Sequence, residues 1–174
     1  MRPDCGSMVS LIVHALLGVA VIVAIVALNP GIFRQQATPK VSALEAIYYV
    51  VCVAAIPHCW YFNIRFVTEY AHGVVHNPLW GPGSWAEFIR LGYATPPAGS
   101  NSNDFIIGNV ILLPLFTIVD GRRRGVRQPW LYFVCSLLTS FSFAWAFYLA
   151  TVERQRRLTP SRLTEPQLTD PNVR

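Results

Sequence analysis

The chain has 174 residues, 53% of them hydrophobic and only 13% charged, with a formal net charge of +5 and a mean hydropathy of +0.39. Soluble domains carry about 25% charged residues, so composition argues against a water-soluble globule and for a protein solvated by lipid. The arginines stand in short runs beside apolar blocks, where topology signals belong, and this arrangement gives no nucleic-acid face.

The first apolar block is residues 8–28. It is longer than the apolar region of a signal peptide and no clean small-residue cleavage site follows it, so it reads as a retained first span. Ala20, Ala24 and Ala27 form a small-residue stripe on it, and His14 is its one strongly polar residue. Asn29, Pro30 and Gly31 end the helix, because proline and glycine do not continue it.

The second block, residues 41–66, is also long enough to span, since about 20 apolar residues suffice, yet it carries Glu45, Pro57, His58, Asn63 and Arg65. Drawn as a helix, it puts Glu45, Tyr49, Cys52, Ile56, Cys59 and Asn63 on one seam, at alternating steps of four and three. Polar groups in hydrocarbon need partners, so this seam should face other spans. Glu45, if buried, is expected to pair with His14, with a hydroxyl of the last span or with a partner protein. Trp60, Tyr61, Asn63 and Arg65 read as an interface belt.

A long connection, about 67–103, follows. Ser84-Trp85-Ala86-Glu87 fits a capping box and predicts a short amphipathic helix over about 85–92, with Trp85, Phe88 and Ile89 toward the membrane surface. Trp80, Trp85 and Phe88 are its candidate protein-facing residues. Glu69, His72 and His76 would share one face of a continuous helix and are the candidate metal set. Gly73 and Asn77-Pro78 interrupt that helix, so no metal or other cofactor is assigned. A haem held by His14 and His58 is a weaker alternative still.

The third span is expected over about 104–119, with Asn103 or Asp104 as N-cap and with Asn109 and Pro114 inside it. Asp120-Gly121 stops it, and Arg122, Arg123, Arg124 and Arg127 follow as a topology signal. The fourth span is expected over about 130–152, with a small, weakly polar face of Cys135, Thr139, Ser142, Ala146 and Ala150. Glu153, Arg154, Arg156 and Arg157 close it. Residues 158–174 repeat a Leu-Thr-x-Pro theme, whose prolines predict a flexible tail. No cysteine pair has metal-site spacing, and no phosphate loop, nucleophile elbow or HExxH is present.

Three stretches together, Trp60-Tyr61-Phe62-Asn63, the basic turn GRRRGVRQPWLY (121–132) and the close TVERQRR, resemble an uncharacterised family of small bacterial membrane proteins, a domain of unknown function, over about residues 41–157. The resemblance implies three core spans, a longer connection, an Arg-rich turn and a basic close. This chain adds the block 8–28 and the Pro-rich tail.

The expected fold is therefore all-α: an integral membrane four-helix bundle over residues 1–157, with one short interfacial amphipathic helix between spans two and three. The expected function is non-catalytic, as an accessory or scaffold subunit of a larger bacterial membrane complex, with an envelope lipid-transport assembly as one host. The alternatives are a small-molecule or lipid binder or transporter using the polar seam of span two, and a membrane metalloenzyme using Glu69, His72 and His76. The expected partners are the lipid bilayer and a larger membrane protein complex, without nucleic acid. The expected location is the bacterial cytoplasmic membrane. Charge density in the connectors 29–40 and 120–129 favours placing them inside, with both termini outside.

Overall fold

A computed structural model describes residues 5–36, 39–70, 77 and 79–158. Every regular element among them is helical: α1 (Cys5–Leu28), α2 (Pro30–Phe33), α3 (Ala43–Tyr70), α4 (Trp85–Leu91), α5 (Pro96–Ile106), a π-helix (Ile107–Leu112), α6 (Leu113–Arg123), α7 (Leu131–Leu138) and α8 (Phe141–Leu158). Three stretches are long and apolar enough to cross a membrane: Leu11–Leu28 in α1, Ala43–Tyr70, and Pro96–Arg123, in which α5, the π-helix and α6 run on as one rod.

The third rod starts earlier than the apolar residues announce. Its N-cap is Thr95, whose hydroxyl accepts from the Ala98 N–H, rather than Asn103 or Asp104. Pro96 takes the first helical position, where a missing N–H costs nothing and the fixed φ already suits a helix. The π-helical turn has a local cause. Pro114 has no N–H to give the carbonyl four residues back, and the preceding Leu113 N–H reaches instead to Gly108 O, five residues back.

The largest departure from expectation is in residues 130–152. They do not form one continuous helix. Tyr132 of α7 donates its hydroxyl to Thr151 Oγ1 of α8 at 2.8 Å, and the Tyr132 and Tyr148 rings lie 5.0 Å apart. On one continuous helix, positions 132 and 151 would stand about 28 Å apart. Helices α7 and α8 therefore form a hairpin that enters the bundle and returns to the end it started from. The turn is at Thr139, with φ −120° and ψ −85°. Hydroxyls serve the backbone there, as a site away from water requires. Thr139 Oγ1 donates to Cys135 O at 2.6 Å, and Ser140 Oγ accepts from the Phe143 N–H as the cap of α8. At 8 residues α7 is about 12 Å long, too short for a hydrocarbon core of about 30 Å.

The hairpin supplies the core. Tyr132, Cys135, Ala144, Tyr148 and Ala150 have no exposed surface, nor does Leu113 opposite them. Its tip is seated halfway along the crossing helices. A methyl on Gly18 of α1 would stand 3.2 Å from Leu138 O, and one on Gly108 3.2 Å from the Phe141 ring. At the base, a methyl on Gly121 would fall 2.6 Å from Pro129, so glycine lets the chain fold back on itself there. Because the hairpin returns, the end of α8 lies beside the connectors 29–40 and 120–129, not across the bundle from them. The tail beyond residue 158 lies outside the described residues.

Helix α4 forms as its capping residues predict. Ser84 Oγ accepts from the Glu87 N–H, although Glu87 returns its own carboxylate to the N–H of Gly83, one residue before the cap. It closes the far end of the bundle, with Trp85 stacked on His14 at 6.0 Å and Phe88 edge-on to Phe66 at 5.2 Å.

Candidate functional site

Polar side chains concentrate where α1 ends, α3 begins and α8 ends. Glu45 lies in the first turn of α3 and is completely buried. Its own N–H donates to Ser42 Oγ at 3.1 Å, and that hydroxyl donates in turn to Glu153 of α8 at 3.2 Å. One carboxylate oxygen, Oε1, accepts from Arg154 Nη1 at 3.3 Å and from the Tyr49 hydroxyl at 3.1 Å. The other, Oε2, accepts from Arg157 Nη2. Arg154 goes further and donates to the carbonyls of Ile32, Phe33 and Gln35, while Arg157 donates to that of Pro39. Residues 154 and 157 are one helical turn apart, so both guanidiniums leave the same face of α8.

This cluster ties the 29–42 connector, α3 and α8 together around a single buried carboxylate. Both oxygens of the Glu45 carboxylate are engaged inside the protein. The two clefts at this end, each about 350 Å3, are lined by neither Glu45 nor Tyr49. The arrangement is suited to locking helices and offers a substrate no open polar surface. Glu45 does not pair with His14, which lies at the opposite end beside Trp85. Neither arginine was tied to Glu45 by its position in the sequence. The available signal was a buried acid needing a partner and two arginines spaced by three at the end of the last apolar block.

The polar seam of α3 holds only as far as α8 does. Cys52 is buried, its thiol donating to Phe143 O at 3.6 Å. Ile56 is exposed, and Cys59 and Asn63 are half-buried. Pro57 sits in a helix that continues through it. His58 is exposed, edge-on to Phe62 at 5.9 Å. It lies about 20 Å along the helix from Glu45, so these two candidates form no common site. Arg65 is exposed, pairs with Glu69 at 2.6 Å and stands 5.9 Å from the Tyr61 ring. Glu69 is thus engaged in an ion pair, whereas His72 and His76 lie outside the described residues. Among the described residues no three His, Cys, Asp or Glu side chains come together as a metal set. Trp80 is 70% exposed, and Trp85 and Phe88 are exposed on their outer edges.

Two further residues, read from the sequence only as part of a helix stop and as a polar residue inside a span, have structural roles of their own. Asn29, 5% exposed, grips the basic turn from the end of α1: its Oδ1 accepts from the Arg127 N–H at 2.7 Å, and its Nδ2 donates to Ile25 O and to Arg127 O. Asn109, 2% exposed, lies in the π-helix, on the inward face it shares with Leu113 and Thr117, and its Oδ1 has no hydrogen-bond partner.

No curated protein and no solved structure matches the chain. Residues 47–154 match the family described as "Protein of unknown function DUF2834", from just after Glu45 through Arg154 and so over most of α3, the third rod and the hairpin. By that match the chain belongs to this family, whose function is unassigned.

Proposed function

We propose that the protein is a non-catalytic scaffold or accessory subunit of a larger assembly in a bacterial cytoplasmic membrane, with the Arg-rich end facing the cytoplasm. One observation carries this reading: the α7–α8 hairpin covers α3 only from Glu45 to about Cys52, and the remaining half of α3 extends past the hairpin tip. That half is a mixed surface, with Tyr61 at 56% and Phe62 at 54% exposure beside Arg65 and Glu69. Aromatic residues around a charged pair are ordinary in protein interfaces. The orientation follows from the positive-inside rule. Among the described residues, Arg34, Lys40, Arg122, Arg123, Arg124, Arg127, Arg154, Arg156 and Arg157 gather at one end, against Arg65 and Arg90 at the other.

The alternative of a binder or transporter acting through the seam of α3 draws less support, because Glu45 and Cys52 are committed to α8. The test is photo-crosslinking in native membranes from a benzophenone amino acid at Phe62, with Leu115 on α6 as a lipid-facing comparison, followed by mass spectrometry. Phe62 is expected to capture one or a few defined proteins and Leu115 none. Capture of lipid alone at both positions, with a lone monodisperse protein on detergent extraction, would overturn the proposal.

A further inference from the structure

We infer that the cleft between the end of α1 and the basic turn is a binding site for the phosphodiester headgroup of an anionic phospholipid. The cleft measures about 350 Å3; Arg122, Arg127, Gln128 and Trp130 form its polar side, and Leu28 and Ile118 its apolar side. Its charge is uncompensated. Of the arginines in this turn, Arg124 pairs with Asp120 at 2.7 Å, whereas Arg122 and Arg127 have no carboxylate partner among the described residues. Two arginines without a carboxylate partner on the lining of one cleft match the oxygens of a phosphodiester, which accept paired N–H groups.

The backbone is built to hold that arrangement. Asn29 clasps Arg127 through both its N–H and its carbonyl, at 2.7 and 3.2 Å, so the guanidinium extends from a fixed point. Gln128 has φ +52°, and among the described residues no other non-glycine residue has positive φ. Such strained positions gather at ligand clamps. Here the conformation is tied by the Trp130 indole N–H, which donates to Gln128 Oε1 at 2.6 Å and leaves the Gln128 amide N–H groups to donate outward.

The apolar wall selects a lipid over a free anion. Leu28 and Ile118 continue into the exposed flanks of α1 and α6, where Val23 and Leu115 are each 59% exposed. An acyl chain can follow those flanks, and Trp130, 46% exposed, sits at the rim as interfacial tryptophans do. Basic pockets between spans on the cytoplasmic side take anionic headgroups by this same chemistry.

The experiment is native mass spectrometry of the full chain in non-ionic detergent, titrated with phosphatidylglycerol, phosphatidylcholine or inorganic phosphate. Phosphatidylglycerol is expected to be retained well above phosphatidylcholine, and inorganic phosphate is expected not to displace it at equal concentration. The double variant Arg122→Gln/Arg127→Gln is expected to weaken phosphatidylglycerol retention about tenfold or more. Arg34→Gln/Arg156→Gln makes the same charge change outside the cleft and should leave retention intact. Arg127→Lys keeps the charge but loses the fork, and an intermediate loss is expected. Equal loss in both double variants would mean diffuse charge attraction, and displacement by inorganic phosphate would mean an anion pocket. Either result overturns the inference, as does equal retention of the two lipids.

Discussion

Glu45 and Glu69 are both ion-paired acids on α3, and their surroundings make them unequal. Glu45 is wholly buried, with Arg154 and Arg157 only 16% and 13% exposed, while Glu69 and Arg65 are each about half exposed. Removing one member of a buried charged cluster strands the others, at a cost of about 3–5 kcal/mol. Exposed pairs are weakened by solvent and side-chain entropy. Glu45→Gln should therefore lower the thermal unfolding midpoint markedly, and Glu69→Gln should hardly move it, with both read by tryptophan emission in one detergent. Equal shifts would show that the cluster does not organise the fold. A methionine in place of Glu45 should be worse than glutamine, since it also loses the hydrogen bond from Tyr49.

At the scale of elements, the π-helix sets how the two halves of the third rod are turned relative to each other. A π-turn amounts to one extra residue in an α-helix, so deleting Val110 should restore α-helical register and rotate α5 by about 100° against α6. In the wild-type register the Phe105 and Phe141 rings meet at 6.1 Å, and Ser102 Oγ donates to Gly92 O at 2.8 Å. Cysteines at 105 and 141, in a background without the native ones, should join by a short bifunctional crosslinker, and the deletion should abolish this joining. If crosslinking survives the deletion, the π-helix does not set the register. The same elements show what hydropathy can and cannot convey. The crossing stretches of α1 and α3 were legible because apolar length is a property of a segment alone. The start at Pro96 was obscured by the polar run Gly99–Asp104, whose helix-compatible backbone leaves no mark in hydropathy. The hairpin was illegible for a different reason: residues 130–152 have the length and apolarity of one span, and only Thr139-Ser140, two hydroxyls able to close one helix and cap the next, records the fold-back. The Glu45 cluster follows from that turn, because a straight last span would carry Arg154 to the opposite end.

At the scale of the whole molecule, the fold-back fixes which segments share a side. An even number of crossings would put the close of α8 with α4, across the membrane from the basic turn. With three stretches long and apolar enough to cross and a returning hairpin, the close of α8 joins the turn instead. Hydrogen bonds hold it there: Gln155 Nε2 donates to Arg124 O at 2.6 Å, Tyr148 donates to Asp120 at 2.8 Å, and Arg154 and Arg157 reach the 29–42 connector. This arrangement also removes a conflict in the charge pattern. A four-span topology divides the arginines of the turn from those of the last helix, so neither side is clearly the basic one, whereas the hairpin collects them on a single side. The prediction is a labelling pattern. Single cysteines at Arg123, Arg156 and Trp80, all exposed positions, are introduced after the native cysteines are replaced by alanine. In sealed right-side-out vesicles an impermeant maleimide should label Trp80→Cys, and should reach Arg123→Cys and Arg156→Cys only after the membrane is opened. Labelling of Arg156→Cys together with Trp80→Cys would require α8 to cross, and would dismantle both the hairpin and the buried cluster that depends on it.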